Sequence, residues 1–580
     1  MVSCSLAKAD YQYIFGTNVS FTCPFTRTEV IKLTSARRDA AQAQLLIFSE
    51  QDMMVSVNAD PVFYEGGPID IVRMEAAAPE GVISTIRLLN LIKDDDGQYK
   101  SDVISNLPFI RVPARKVQQV FCEFDVPAQT QAGHYEITLK VYTHNMFEDE
   151  MLFDTLTVSL DVVDYLLKPP SENKCYLDLW QHNANIARKY HVALWSDEHF
   201  AILENYIASM SALGQSAVTL IASEIPWSGQ FSTQNRSSPG NLFEYNMARV
   251  TKSRDGVFCY DFSVMKRYIE LCNRHGIGRI INVFGLMNIW VLPDSGYGGI
   301  IEDYPDAVRI RYLDETDGCY KYIATKAEFF NYIRALWAFF KAEGLDQKVR
   351  LFSDEPADVE LFKKRRALLY EAVPDMKLMV AINHYEFISE DIFGIDDYAP
   401  WLAVACRDFN RTRMLRESIP GLFIYYTMGP NWPDSFVGSY PVENRVTLWL
   451  SWFLGLDGFL RWNYTVWSET PYETASYLFP RWRGGDCYFV YPGPSGVPEL
   501  SLRYVMLKKA VRDFELFSDY ATTSEKRREI EDMMREVFFF NDPSQIHPDA
   551  RRKADELFCL DSAKYDEIIN RILERLADGY

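Results

Sequence analysis

Two neighbouring carboxylates, Asp354 and Glu355, follow a short apolar stretch in the sequence LFSDEP. Residues 349–352 are predicted to form one buried strand, which ends before Pro356 because proline cannot donate a strand hydrogen bond. A helical pattern follows at 359–373. The acid pair is therefore expected where a parallel strand gives way to a helix, the edge at which barrels of alternating strands and helices build active sites.

This residue pair could hydrolyse a glycosidic bond. Ordinary glycosidases place two carboxyl groups on either side of the bond, about 5 Å or more apart, which adjacent residues cannot easily do. Adjacent acids suit substrate-assisted hydrolysis, in which the 2-acetamido oxygen of the sugar is the nucleophile. We expect Glu355, with a raised pKa, to be the general acid and base, and Asp354 to orient the acetamido group. The alternative is that the pair only caps the following helix.

Aromatic and polar residues cluster at the ends of other predicted strands. Sugar rings pack their C–H faces on aromatic rings, whereas their hydroxyl groups need polar partners; for any single aromatic, a place in the core is the competing interpretation. The predicted substrate-binding residues are Trp180, Gln181, Trp227, Asn282, Asn383, His384, Tyr385, Tyr426, Trp432, Trp462, Tyr464, Trp467 and Asp486.

The scaffold is predicted as a multidomain chain. Over residues 1–165, short predicted strands in which polar and apolar residues alternate are separated by turn signals, which indicates an antiparallel β-sandwich. Over residues 172–518, short apolar segments alternate with helices, as in a (β/α)8 TIM barrel. Residues 519–580 are predicted to be a helical C-terminal segment. The predicted barrel strands are 175–180, 217–222, 279–284, 349–352, 377–382, 402–406, 422–427 and 458–462, with a ninth apolar segment at 488–491.

Composition limits the partners. The formal net charge of −20 disfavours nucleic acid or an anionic membrane as a partner and is compatible with a neutral carbohydrate ligand. The ten cysteines form no CxxC pair and the histidines show no HExxH spacing, so neither a metal nor another cofactor is expected. No run of 18 apolar residues and no signal peptide is seen. A cytoplasmic location is therefore expected, unless a leader was removed; homo-oligomerisation stays open.

Several segments together resemble glycoside hydrolase family 123 and the related domain of unknown function 4091. The segments are CYLDLWQHNANIARKYHVALWSDEHF, EIPW, DGVFCYDFS, LFSDEP, GFLRWNYTVW and GDCYFVYPGPSG, in that order between residues 175 and 496. The resemblance implies a sandwich followed by a TIM barrel, and a retaining exo-β-N-acetylgalactosaminidase with Asp354 and Glu355 as the catalytic pair. The helix after YPGP, SLRYVMLKKAVRDFELF, departs from the family pattern.

Two other functions remain open from the residues. The protein could be a glycosidase for another sugar, without participation of an acetamido group. It could also be a carbohydrate-binding barrel without catalysis, although a binding module has no need of an acid pair.

Overall fold

The computed structural model describes residues 2–15, 22–61, 69–145, 148–226, 243–289, 299–390, 394–427, 432–477 and 482–579. Within these ranges, no helix is both long and apolar enough to cross a membrane.

The N-terminal part consists of two sheets. Its strands are β1 Val2–Lys8, β2 Ile14–Phe15, β3 Val30–Arg37, β4 Asp39–Ser49, β5 Met53–Ser56, β6 Asp70–Ala77, β7 Ile83–Lys93, β8 Tyr99–Ile104, β9 Phe109–Val112, β10 Val117–Val126, β11 Gly133–Asn145 and β12 Met151–Leu166. One sheet has the order β1-β4-β10-β7-β8-β2, and the other has the order β3-β12-β11-β6-β5-β9.

The two sheets share an apolar core. Val120, Cys122 and Phe124 of β10 and Ile137 and Leu139 of β11 are buried in it together, because alternate residues of a strand face the same side. The predicted antiparallel arrangement holds for most pairs, but β3 runs parallel to β12 and β5 runs parallel to β6. The alternation of residues reports which face is buried and not the direction of the neighbouring strand.

The remaining strands follow in the second part of the chain. They are β13 Tyr176–Leu179, β14 Ala217–Ile221, β15 Ile225–Pro226, β16 Phe243–Glu244, β17 Arg249–Lys252, β18 Phe258–Asp261, β19 Ile280–Phe284, β20 Arg311–Asp314, β21 Cys319–Tyr322, β22 Val349–Asp354, β23 Lys377–Ile382, β24 Asp397–Pro400, β25 Tyr425–Tyr426, β26 Gly458–Arg461 and β27 Leu500–Ser501.

Helices separate most of the longer strands. They are α1 Asn183–Tyr190, α2 Asp197–Leu213, α3 Ser263–Arg274, α4 Lys326–Ala342, α5 Val359–Ala372, α6 Glu386–Ser389, α7 Leu402–Arg407, α8 Phe409–Ser418, α9 Glu443–Phe453, α10 Leu502–Tyr520, α11 Ser524–Met534, α12 Ala554–Leu557 and α13 Ser562–Ala577.

Parallel pairing organises the second part of the chain. Strands β14, β19, β22, β23 and β24 lie side by side in this order, and β13, β26 and β25 form a second parallel group. Isolated parallel bridges join the groups, from Leu177 of β13 to Gln215 before β14 and from Tyr398 of β24 to Phe423 before β25. Closure of these strands into a complete (β/α)8 barrel stays a prediction.

One predicted strand is wrong. Residues 402–406 lie in helix α7, and the strand at this place is β24, which ends at Pro400 just before it. A continuous apolar run is the same for a buried helix and a buried strand, so the sequence pattern could not separate them. The apolar segment at 488–491 forms isolated bridges and no strand. The other predicted segments overlap observed strands.

The C-terminal helices pack against the rest of the molecule. Helix α13 buries Tyr565, Ile568 and Ile572, and the Tyr565 ring lies 4.8 Å from the Trp449 ring of α9, measured between centroids. This amphipathic helix therefore buries its apolar side within the chain.

The two parts of the chain are joined at strand β8 of the N-terminal region. Strand β27 pairs antiparallel with β8. Beside this pairing, Tyr491 donates its O–H to Asp102 Oδ2 at 2.7 Å, and Arg503 Nη2 donates to the same oxygen at 3.0 Å. All three side chains are buried. We call Asp102, Tyr491 and Arg503 the Asp102 junction.

Candidate active site

The carboxyl pair, Asp354 and Glu355, lies at the C-terminal end of β22. Phe352, two residues before Asp354, is buried in the core. Alternate residues of a strand share a face, so Asp354 lies on the same face of β22 as Phe352. Glu355 leaves the strand with a φ of 43°, in the left-handed region, while its N–H still donates to the carbonyl of Ala381 on β23 at 3.0 Å. A non-glycine residue in this conformation costs of order 1–3 kcal/mol, and such residues cluster at functional sites.

Helix capping does not account for the pair. Asp358 precedes α5, and its Oδ1 accepts the N–H of Leu361 at 2.7 Å. The cap of this helix is thus supplied by a different carboxylate, and the carboxyl pair lies upstream of it.

The electrostatics of the pair favour retention of a proton. Burial first, and then the charge of Glu355, raise the pKa of Asp354 well above its ordinary value. Tyr426 of β25 donates its O–H to Glu355 Oε1. Burial first, and then the charge of Glu355, raise the pKa of Tyr426 well above its usual range, so this phenol remains a donor. The pair therefore holds a proton at pH values at which an isolated aspartate has lost it.

Buried residues lie beneath the pair. Trp180 is 1% exposed and packs edge-on against Phe352, with 5.0 Å between ring centroids. Asn282 donates its side-chain N–H to Asp178 Oδ2 at 2.8 Å. Burial raises the pKa of Asp178 to about 7, against the lowering effect of hydrogen bonds from Trp180 and Asn282. Trp180 and Asn282, both predicted to bind substrate, thus lie in the packed interior next to the strand that carries the pair.

A polar cluster lies beside Tyr426, at the ends of β25 and β26. Trp462 donates its indole N–H to Asp486 Oδ1 at 3.2 Å, and Arg461 donates to the same oxygen at 2.5 Å. Arg461 also donates to the carbonyl of Thr427, the residue after Tyr426, at 3.0 Å. Burial raises the pKa of Asp486, although Arg461 acts against it. The structure therefore links predicted residues Trp462 and Asp486 through Arg461, which the sequence analysis did not single out.

The residues after β23 divide into two groups. Asn383 and His384 are half-buried, and their side chains contact each other, with 2.5 Å between Asn383 Oδ1 and His384 Nδ1. Tyr385 turns to the following helices, where its O–H donates to Asp408 at 3.2 Å and Arg407 lies over its ring.

Other predicted residues make contacts elsewhere. Gln181 is buried and donates to Tyr268 of α3 at 3.4 Å. Tyr464 and Trp467 are also buried: the Tyr464 hydroxyl lies 2.7 Å from the Ser209 hydroxyl of α2, and the Trp467 indole donates to a backbone carbonyl. Trp432 is half-buried against the core, and Trp227 lies outside the described residues. Substrate contact by these residues stays a prediction.

Three further residues hold the backbone of the pair. Asn288 donates its side-chain N–H to the carbonyl of Asp354. Arg365 of α5 donates to Asn288 Oδ1 at 2.9 Å, and Asp306 accepts the backbone N–H of Asn288 at 2.5 Å. No sequence pattern singles out these three residues, and Arg365 stands in a KKRR run that is typical of a solvated helix face.

The described residues contain no group of three or more His, Cys, Asp or Glu side chains that could hold a metal ion.

Sequence comparison gives the class of the protein. Residues 180–519 match the glycoside hydrolase 123 catalytic domain, which includes the carboxyl pair and covers more than half of the chain. The protein is a glycoside hydrolase. It belongs to glycoside hydrolase family 123, which confirms the resemblance seen in the sequence. A search of curated protein sequences finds no match.

Comparison with solved structures concerns the fold. A family 123 glycoside hydrolase from Clostridium perfringens, described in work on glycolipid glycan hydrolysis, has a TM-score of 0.75 at 17% identity; the match covers 100% of this chain and 99% of that one. The two therefore share the whole fold. A putative glycoside hydrolase from Bacteroides vulgatus matches at a TM-score of 0.31 and 11% identity, covering 77% of this chain and 76% of its own.

Proposed function

We propose that this glycoside hydrolase is a retaining exo-enzyme that removes terminal β-linked N-acetylgalactosamine by substrate-assisted catalysis. The observation that carries the proposal is the carboxyl pair itself, two adjacent acids at the end of β22 with Tyr426 bound to one of them. We assign Glu355 as general acid and base and Asp354 as the residue that orients the acetamido group.

The proposed reaction has two steps. The acetamido oxygen attacks C1 of the sugar while Glu355 gives a proton to the glycosidic oxygen, which leaves as an alcohol. The resulting oxazolinium ion is then opened at C1 by water, whose proton returns to Glu355. Two inversions at C1 give net retention. Asp354 accepts the acetamido N–H and offsets the positive charge of the oxazolinium ion.

Substrate binding should change which of the two carboxyl groups, Asp354 or Glu355, carries the proton. Without substrate, burial and Glu355 favour the protonated form of Asp354. The acetamido N–H is a hydrogen-bond donor, and together with the developing positive charge it favours the ionised form of Asp354. The substrate therefore draws the proton towards the carboxyl group that must donate it, Glu355.

Neighbouring groups support a sugar as the ligand. Trp462 is half-buried and donates its indole N–H to Asp486, and it directly follows β26, the strand whose Leu460 pairs with Tyr426. We propose that Trp462, Asp486, Asn383 and His384 contact the sugar.

We also propose a (β/α)8 barrel at residues 172–518, with a sandwich at 1–165 and a helical segment at 519–580. The proposed substrate is a glycan or glycoconjugate. The C. perfringens relative, studied for glycolipid glycan hydrolysis, makes glycolipids one class to include.

The experiment is hydrolysis of a panel of aryl β-glycosides of N-acetylgalactosamine, N-acetylglucosamine, galactose and glucose. Cleavage confined to the two N-acetylated sugars, with N-acetylgalactosamine preferred and a β-configured first product, is the expected result. Comparable cleavage of the galactoside or glucoside would instead establish hydrolysis without acetamido participation. A rise in melting temperature with sugar but no hydrolysis of any glycoside, including glycolipid glycans, would indicate a binding protein.

A further inference from the structure

The carbonyl of Asp354 lies where regular strand pairing has ended on one side. Strand β22 pairs with β23 as far as Asp354, but its pairing with β19 stops at Leu351. On that side, Asn288 from the loop after β19 reaches the Asp354 carbonyl with its side-chain N–H. A side chain thus takes the place of the absent strand and binds the peptide group that joins the two acids.

Asn288 is itself held on two sides. Its backbone has a φ of 55°, a left-handed conformation that asparagine tolerates better than most residues. Asp306 stabilises this turn by accepting the N–H groups of Asn288 at 2.5 Å and Ile289 at 2.9 Å. Arg365 donates to Asn288 Oδ1 at 2.9 Å, which leaves the amide nitrogen to face the Asp354 carbonyl.

Asp306 and Arg365 are also paired with each other. Arg365 Nε lies 3.3 Å from Asp306 Oδ2, and the Asp306 side chain is fully buried. Arg365 further donates to the carbonyl of Pro305 at 3.0 Å. Arg365 belongs to α5, the helix that follows the carboxyl pair. These contacts therefore connect the chain on both sides of the carboxyl pair to one ion pair, in which Asp306 is fully buried.

We propose that Asn288, Asp306 and Arg365 form a clamp that positions the carboxyl pair for catalysis by fixing the Asp354–Glu355 peptide. The side chains of Asp354 and Glu355 leave this peptide from its two ends, so a rotation of the peptide displaces both carboxyl groups together. A displacement of about 1 Å can lower a rate about 10²-fold. The catalytic consequence rests on the proposed function; the effect on the peptide does not.

The first test is hydrogen exchange of the Glu355 amide, which donates to Ala381. Asn288→Ala should speed exchange in a peptide spanning residues 349–357 by about fivefold to tenfold, the effect of losing one hydrogen bond. The matched control is Asn205→Ala, because Asn205 of α2 also donates its side-chain N–H to a backbone carbonyl, that of Gly496, at 3.1 Å. Unchanged exchange in Asn288→Ala would overturn the clamp, whatever the enzyme hydrolyses.

The second test is kinetic. Asn288→Ala and Asp306→Asn should lower kcat for an aryl N-acetylgalactosaminide about 10²-fold with KM changed less than about threefold. The loss should be smaller for a dinitrophenyl leaving group, which needs no protonation, than for a phenyl group. Equal losses with both leaving groups, or a kcat like that of Asn205→Ala, would overturn the positioning role while Glu355→Gln still tests the function itself.

Discussion

The carboxyl pair and the Asp102 junction contain the same hydrogen bond but differ in the charge of the neighbouring group. In each, a buried tyrosine donates its hydroxyl to a carboxylate: Tyr426 to Glu355, and Tyr491 to Asp102. At the junction the other partner is a cation, since Arg503 binds Asp102 through both Nε and Nη2. At the pair, the adjacent group in sequence is a second acid.

The difference in the neighbouring charge decides what each site can do. Burial acts to lower the pKa of Arg503, but Asp102 outweighs it and raises that pKa above its usual value. Arg503 therefore keeps its charge beside Asp102. At the pair, burial and a like charge act together on Asp354. At the junction, the positive charge of Arg503 compensates Asp102 and stabilises the fold. At the carboxyl pair, the neighbouring group is another acid, which favours a proton that the pair can transfer.

The comparison predicts its largest effect for Glu355→Gln. Loss of the general acid should lower kcat about 10²–10⁴-fold or more. The free energy of unfolding should stay the same or rise, because a charged carboxyl group is removed from the side of another acid. Both quantities can be measured on the same preparation by aryl glycoside hydrolysis and urea unfolding. Near wild-type turnover would remove Glu355 from the mechanism.

Arg503→Met should show the reverse pattern. It leaves Asp102 buried without its cation, which should lower the free energy of unfolding by about 3–5 kcal/mol. The kcat of the folded fraction should not change. Adding Asp102→Asn should recover part of the loss, as measured in a double-mutant cycle. A stable Arg503→Met protein would contradict the role given to the junction.

Asp354→Asn should alter both rate and pH dependence. We expect kcat to fall about 10²-fold through loss of the charge that faces the oxazolinium ion, with binding largely intact. An unchanged rate would exclude Asp354 from the mechanism.

The pH dependence has a definite sign. The pKa of Asp354 is raised in the folded protein, so its contribution to stability is fully present below the unfolded-state pKa of about 3.9 and is lost as pH rises through the folded-state pKa. Wild type should therefore lose stability relative to Asp354→Asn as the pH rises from about 4 towards the raised folded-state pKa of Asp354. Urea unfolding at a series of pH values measures the difference, and parallel curves would contradict it.

The smallest effects separate the two tyrosines. Tyr426→Phe should lower kcat about tenfold and hardly change stability, because it removes one hydrogen bond that orients Glu355. Tyr491→Phe should lower the free energy of unfolding by about 1–3 kcal/mol at unchanged kcat, since Asp102 loses a buried partner. If both variants behaved alike, the distinction between the two sites would fail.

The sequence predicted the carboxyl pair because its signal is local. An apolar strand, two acids and a proline are adjacent, and the cap of the next helix is supplied by Asp358. Strands β13, β14, β19, β22, β23 and β26 were predictable for the same reason. Strand β24 was not predictable, because the apolar residues that follow it belong to α7, and a short apolar run is the same in a buried helix and a buried strand.

The clamp could not be predicted, because its members are brought together only by the fold. Asn288 and Asp306 come from the segment between β19 and β20 and Arg365 comes from α5, and none stands in a pattern that signals its partner. The same holds for Arg461, whose contacts to Asp486 and Thr427 link separate loops. The burial of individual aromatic residues could not be predicted from the sequence either. Tyr464 and Trp467 follow a strand end, as a binding residue would, yet neighbouring elements enclose them.

The pairing of β27 with β8 has a consequence for dissecting the enzyme. A fragment starting at residue 172 would retain the whole segment matched by the family and every residue of the carboxyl pair and clamp. It would also present the unpaired edge of β27 and the guanidinium of Arg503, stripped of its counter-ion, to solvent. We expect such a fragment to aggregate unless the N-terminal region is supplied as a separate polypeptide, so the hydrolase cannot be reduced to the segment that the family match defines.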